Sequence, residues 1–120
     1  MDKVSVDLQL ESIKSFQSTI CKTERAVDQM KVKGAQTGLV EKRLHALLIG
    51  LAVMETVWNE KPNSYSREEL VEARIVLAGL LPSIENQYAK SKAGSPQRTL
   101  LERRLQSLEL AIRAIDDLSN

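Results

Sequence analysis

The feature that most constrains the fold is a recurrence of apolar residues at steps of three and four along four segments of the chain. This spacing places the apolar side chains on one face of an α-helix. The four stripes are Ile13, Phe16, Ile20, Thr23, Val27 and Met30; Val40, Leu44, Leu47, Leu51, Met54 and Trp58; Leu70, Ala73, Leu77, Leu80, Ile84 and Tyr88; and Leu101, Leu105, Leu108, Ile112 and Ile115. Because aromatic residues make up only 3% of the chain, a sheet built on aromatic and β-branched pairs is disfavoured. The predicted fold class is all-α.

Glycine, proline and turn-forming residues separate the segments. Gly34 and Gly94 stand where a helix ends in a left-handed cap. Ser95 before Pro96 predicts the start of the fourth helix, since proline at the first helical position loses no hydrogen bond. The run "NEKPNSY" breaks the chain between the second and third helices. We therefore predict helices near residues 5–33, 38–59, 66–91 and 96–119.

The third helix carries two further signals. Ser66, with Glu69 three residues later, has the spacing of a capping box. Pro82 lies inside the helix and cannot donate to the carbonyl four residues earlier, so it predicts a kink near Gly79.

The short connections favour antiparallel neighbours, which predicts an up-down-up-down four-helix bundle. At 120 residues the chain suits one domain, residues 1–120, made of hairpins 1–60 and 61–120. An alternative topology extends helices 1 and 3 into an intermolecular bundle.

The second and fourth helices resemble each other. Residues 39–57, "LVEKRLHALLIGLAVMETV", align with residues 100–118, "LLERRLQSLELAIRAIDDL", at an offset of 61 positions. The identities include surface positions, which favours a duplicated hairpin over coincidence. The alternative is that two amphipathic helices of the same period simply look alike.

One face distinguishes the two copies. The fourth helix carries Gln106, Glu109, Arg113 and Asp117, whereas the second carries His45, Leu48, Ala52 and Thr56. Either the third helix or the chain termini cover this less polar face within the monomer, or it binds a partner. The hypothesis of a partner interface, in a homodimer or against another protein's helix, names His45, Leu48 and Ala52.

The charge is nearly balanced overall and uneven along the chain. The formal net charge is +1, but residues 28–43 and 89–104 hold nine basic and three acidic residues. An up-down bundle would place both of these turns at one end. The alternative hypothesis is an anion-binding site, for a phosphate or a nucleic-acid backbone, formed by Lys42, Arg43, Arg98, Arg103 and Arg104. A solvated, partly self-paired basic end is the competing interpretation.

Catalytic signals are weak. The single histidine, His45, and the single cysteine, Cys21, belong to no metal-ligand or nucleophile motif. We predict no enzyme activity, no cofactor and no metal. No apolar run approaches the roughly 20 residues of a membrane span, and the N-terminus does not resemble a secretory signal, so we expect no membrane partner and a cytoplasmic location.

The sequence therefore predicts a non-enzymatic protein-interaction module, such as a small regulator, adaptor or chaperone-like binder. It would use the apolar face of the second helix, with the third helix as a further contributor. A nucleic-acid or phosphate-binding protein that uses the basic end is the alternative.

Overall fold

The computed structural model describes residues 4–119, which form four α-helices. They are α1 (Val6–Val32), α2 (Gly38–Asn59), α3 (Arg67–Lys90) and α4 (Pro96–Ser119). Each predicted boundary lies within one residue of the observed one, and the described residues contain no strand. The predicted all-α four-helix bundle is confirmed; the predicted domain also includes residues 1–3 and 120, which lie outside the described residues.

The predicted helix ends are present. The Ser66 Oγ accepts a hydrogen bond from the Glu69 backbone N–H at 3.1 Å, and the Glu69 Oε1 accepts one from the Ser66 N–H at 3.1 Å. At the start of α4, the Ser95 Oγ accepts from the Arg98 N–H at 3.1 Å. Gly34 and Gly94 have φ angles of 73° and 78°, in the left-handed region that glycine enters without strain. These residues therefore fix where the helices begin and end.

Pro82 lies inside α3 without ending it. The helix continues to Lys90 although proline donates no hydrogen bond to the carbonyl of Ala78. The predicted kink near Gly79 stays a prediction.

Helices α2 and α4 occupy the centre of the bundle. Each packs against the three other helices, whereas the backbones of α1 and α3 do not come close to each other in the described part of the chain. Gly50 lies where three helices meet: a Cβ on it would lie 2.9 Å from the Phe16 Cε2 and 3.1 Å from the Leu77 Cδ1. Glycine here lets the side chains of α1 and α3 approach the backbone of α2.

The two hairpins cross each other. The molecule measures 39 × 37 × 20 Å, and helices of this length are about 33–40 Å long and about 10 Å thick. A bundle of aligned helices would be about two helices wide as well as two helices thick. Because the width here equals the length of a helix, the two layers of helices cross. The layers meet near helix middles, where Gly50 faces Leu77 and the hydroxyl oxygens of Ser15 and Ser107 lie 3.4 Å apart.

Burial follows the offset of 61 positions found in the sequence. The six buried residues of α2 are Ala46, Leu47, Ile49, Gly50, Val53 and Met54, and the residue 61 positions after each is buried in α4. Phe16 and Leu77, also 61 apart, are 1% and 0% exposed. The offset thus relates α1 to α3 as well, although their sequences align poorly. Duplication stays a prediction, because helices in equivalent places bury equivalent positions.

Candidate interaction surface

The C-terminal half of α2 is enclosed within the monomer. No residue from 49 to 58 is exposed, because α2 packs against three helices and the following loop folds back over its last turns. The Asn63 Nδ2 donates to the Thr56 Oγ1 at 2.7 Å, and the Lys61 Nζ lies 2.7 Å from the Glu55 Oε2. The low polarity of this half is therefore explained by contacts inside the chain.

The three residues of the predicted partner interface share one face of α2 but differ in exposure. His45 is exposed, with its Nε2 3.9 Å from the Glu69 Oε2, and Leu48 is 41% exposed. Ala52 is half-buried. The structure thus leaves His45 and Leu48 accessible to a partner and Ala52 only partly so, and their role as an interface stays a prediction.

Helix α3 exposes two apolar side chains that the sequence reasoning did not select. Val71 is 47% and Ile75 is 65% exposed. They are four residues apart, so they lie one above the other on the helix surface. The buried stripe of α3, from Leu70 through Leu77, occupies the opposite side. The sequence could have indicated this surface, because Val71 and Ile75 form a second apolar pair outside the stripe that the core buries.

Val71 and Ile75 line an open depression of about 660 Å³. We call it the α2/α3 groove; its residues are Lys42, Arg67, Glu68, Val71, Glu72, Ile75 and Val76. The Lys42 Nζ lies 3.3 Å from the Glu72 Oε1 across it. A narrower cleft of about 50 Å³ shares Lys42, Glu72 and Val76 with the groove and includes His45. The groove therefore extends to His45, and Leu48 lies three residues after His45 on the same face of α2.

A second groove lies between the other two helices. The α1/α4 groove has a volume of about 340 Å³ and is lined by Glu11, Lys14, Ser15, Ser18, Leu100, Arg103 and Arg104. The Arg103 Nη2 lies 3.5 Å from the Glu11 Oε1. Arg103 and Glu11 are each 61 positions from Lys42 and Glu72, so the two ion pairs are counterparts. The molecule therefore has two grooves at equivalent positions, and the residues that line them differ.

The five residues of the predicted anion site are distributed over several surfaces. Lys42 lies in the α2/α3 groove, whereas Arg103 and Arg104 lie in the α1/α4 groove. The Arg98 guanidinium lies 4.2 Å from the centre of the Tyr88 ring and donates to a backbone carbonyl at 3.1 Å. Arg43 is exposed on α2. No cavity or contact of the described residues joins all five, since crossed hairpins direct their turns differently.

An ion pair fastens α3 to α4 on another side of the bundle. The Arg74 Nε and Nη2 donate to the Asp116 Oδ1 and Oδ2 at 2.6 and 3.2 Å. These hydrogen bonds, and then the attraction between the opposite charges, raise the pKa of Arg74 above its ordinary value. Because the folded-state pKa of Arg74 is raised, the stabilisation from this ion pair is fully present at pH values below the unfolded-state pKa. It is lost only as the pH rises through the folded-state pKa. The Arg74 charge is thus constant at all ordinary pH values.

Groups able to perform chemistry are sparse in residues 4–119. This part of the chain has no cluster of three histidine, cysteine or acidic side chains arranged for a metal ion. Cys21 is exposed on α1. None of the described helices is sufficiently long and apolar to cross a membrane.

No family model, no curated protein and no solved structure matches this chain. Function must therefore be inferred from its own residues. Two surfaces are candidates: the α2/α3 groove with the adjoining face of α2, and the α1/α4 groove.

Proposed function

We propose that this protein is a non-enzymatic protein-interaction module, and that a second copy of the chain binds to the α2/α3 groove. The observation that carries the proposal is the exposure of Val71 and Ile75 in a groove that adjoins the cleft beside His45. Exposed apolar side chains that line a depression are typical of protein-binding surfaces.

The charges around the groove favour a copy of itself over a strongly charged partner. Lys42 and Arg67 supply two cations, and Glu68 and Glu72 supply two anions. A purely acidic or purely basic partner would meet as much repulsion as attraction. In a twofold dimer the same patch occurs on both sides, so the cations of one copy can face the anions of the other.

The exposed area indicates a weak dimer. Complete burial of a valine or isoleucine side chain contributes about 1.5–3 kcal/mol, and these two are already partly covered. Four such side chains across a dimer would therefore supply about 5 kcal/mol. Association itself costs about 4–15 kcal/mol. These four side chains alone do not hold a dimer together, so Leu48 and the ion pairs between the two copies must supply the remainder, and we expect a weak equilibrium between monomer and dimer that responds to dilution.

The surroundings of His45 also favour binding over catalysis. The cleft beside its imidazole has a volume of about 50 Å³, whereas small-molecule sites usually measure about 300–1,000 Å³. A substrate would not fit between His45 and Glu69. The imidazole instead lies at the border of the proposed protein-binding surface.

Single charge insertions test the surface. Ile75→Glu and Val71→Glu should each convert the dimer to a monomer, because either would bury a carboxylate without a partner. Both positions are exposed, so the thermal unfolding midpoint should barely change. Sedimentation velocity would measure the association, and circular dichroism would measure the unfolding.

Leu10→Glu is the matched control. Leu10 is 61 positions before Val71 and 53% exposed, but it lies on α1, away from the α2/α3 groove. It should leave the dimer intact. Leu48→Glu tests the extent of the surface: dissociation with an unchanged fold extends the interface to α2, while unfolding would show that Leu48 serves the fold. Equal dissociation by Leu10→Glu and Ile75→Glu would overturn the proposed location.

A further inference from the structure

We propose that the α1/α4 groove binds a small anion that carries phosphate groups. The groove is separate from the surface assigned to protein binding, so this inference is independent of the proposed function. It stands on the charge and hydrogen-bonding capacity of the lining, and on the difference between this groove and its counterpart.

The counterpart groove shows which lining residues are shared by both hairpins. Offset by 61 positions, the ion pair Glu11–Arg103 corresponds to Glu72–Lys42, and Arg104 corresponds to Arg43. These shared residues occur wherever the first helix of one hairpin crosses the second helix of the other, α1 against α4 and α3 against α2. They do not by themselves indicate a ligand.

Three positions differ, and all three change in the same direction. Lys14, Ser15 and Ser18 of the α1/α4 groove stand where α3 has Ile75, Val76 and Gly79. An ammonium group and a hydroxyl thus take the places of two aliphatic side chains, and a second hydroxyl takes the place of a glycine, at equivalent positions of the fold. The packing of the bundle does not require this change, because the apolar version occurs in the same molecule.

The lining supplies the donors that a phosphate group accepts. Among its described residues, Lys14, Arg103 and Arg104 bring three cations against the single carboxylate of Glu11, which leaves a net charge of +2. Guanidinium and ammonium groups form strong, charge-assisted hydrogen bonds to phosphate oxygens. The exposed Ser18 adds a hydroxyl group that can donate to a phosphate oxygen.

The dimensions of the groove limit the ligand. A volume of about 340 Å³ lies at the lower end of the range of about 300–1,000 Å³ for small-molecule sites. Leu100 is the one apolar residue among those described in the lining, so little apolar surface is offered to an organic group. The ligand class is therefore a compact, multiply charged phosphate, either inorganic or as the end of a small ester.

Isothermal titration calorimetry with inorganic pyrophosphate tests the site. We expect saturable binding of one pyrophosphate per chain, weakened by added salt because charges are paired. Lys14→Gln and Arg104→Gln should each reduce affinity about tenfold, the loss expected from one charge-assisted hydrogen bond. Lys14 is exposed, so its variant serves if Arg104→Gln does not fold. A parallel titration with ADP distinguishes the source: equal affinity means that only the phosphates are bound, and tighter binding means that an ester is preferred.

Two further variants make the test specific. Glu11→Gln should strengthen pyrophosphate binding several-fold, because it removes the carboxylate that faces the cations of the groove and releases Arg103 from its ion pair. Arg43→Gln, which changes the exposed α2 residue 61 positions before Arg104, should leave binding unchanged. No saturable heat with pyrophosphate would overturn the proposal. An equal loss from Arg43→Gln and Arg104→Gln would also overturn it, since that would show attraction to positive charge anywhere on the surface.

Discussion

Two glycines in helices illustrate how the surroundings of one residue determine the effect of one methyl group. A Cβ on Gly50 would lie 2.9 Å from the Phe16 Cε2 and 3.1 Å from the Leu77 Cδ1, and these side chains are only 1% and 0% exposed. A Cβ on Gly79 in α3 would instead meet no atom within 4 Å, apart from its chain neighbours and the backbone of its own helix. The same substitution should therefore have opposite effects at the two sites.

We expect Gly79→Ala to raise the free energy of unfolding by up to about 1 kcal/mol, the difference in helix propensity. Gly50→Ala gains the same propensity but overpacks the core, which costs about 1–3 kcal/mol, so it should lower the free energy of unfolding by about 1 kcal/mol. Urea denaturation of both variants beside the wild type measures the difference. Stabilisation by Gly50→Ala would show that Phe16 can move aside.

At the scale of the element, α3 is the helix whose ends and faces are best defined by local chemistry. Its first turn carries the reciprocal bonds between Ser66 and Glu69. Ser66→Ala should lower the free energy of unfolding by about 1 kcal/mol, the usual loss for an N-cap. Ser64→Ala, in the loop two residues earlier, should change it little. Equal effects of the two substitutions in urea denaturation would contradict a role for the cap.

The elements were predictable from the sequence because their signals are local. Helix ends follow from Gly34, Ser66, Ser95 and Gly94, each of which acts on its own backbone or that of residues within a turn or so. The outward face of α3 was not predicted, because Val71 and Ile75 are apolar like the core stripe. The helical periodicity of apolar residues does not by itself determine which of two apolar faces a neighbouring helix will cover.

At the scale of the whole molecule, the crossing of the hairpins determines which surfaces form. A bundle of aligned helices would bring both hairpin turns to one end, and the five cations of the predicted anion site with them. The crossed arrangement instead places Lys42 against Glu72 and Arg103 against Glu11, in two separate grooves. The crossing angle depends on how side chains from four helices interlock, which is why the stripes predicted the bundle but not the grooves.

The offset of 61 positions relates the two halves of the folded molecule. It relates the buried residues of α2 to those of α4 and each groove to the other. One groove is lined by Ile75 and Val76, and the other by Lys14 and Ser15. Two equivalent surfaces on one molecule thus offer different chemistry, which is the basis for assigning them different partners.

The most direct test of the proposed dimer is the solution mass of the wild-type protein across a dilution series at physiological salt, by sedimentation equilibrium or light scattering. We predict a mass that rises from one chain at low concentration towards two chains at high concentration, as Val71 and Ile75 become buried between copies. A mass of one chain at every concentration would contradict the proposal that a second copy binds to the α2/α3 groove.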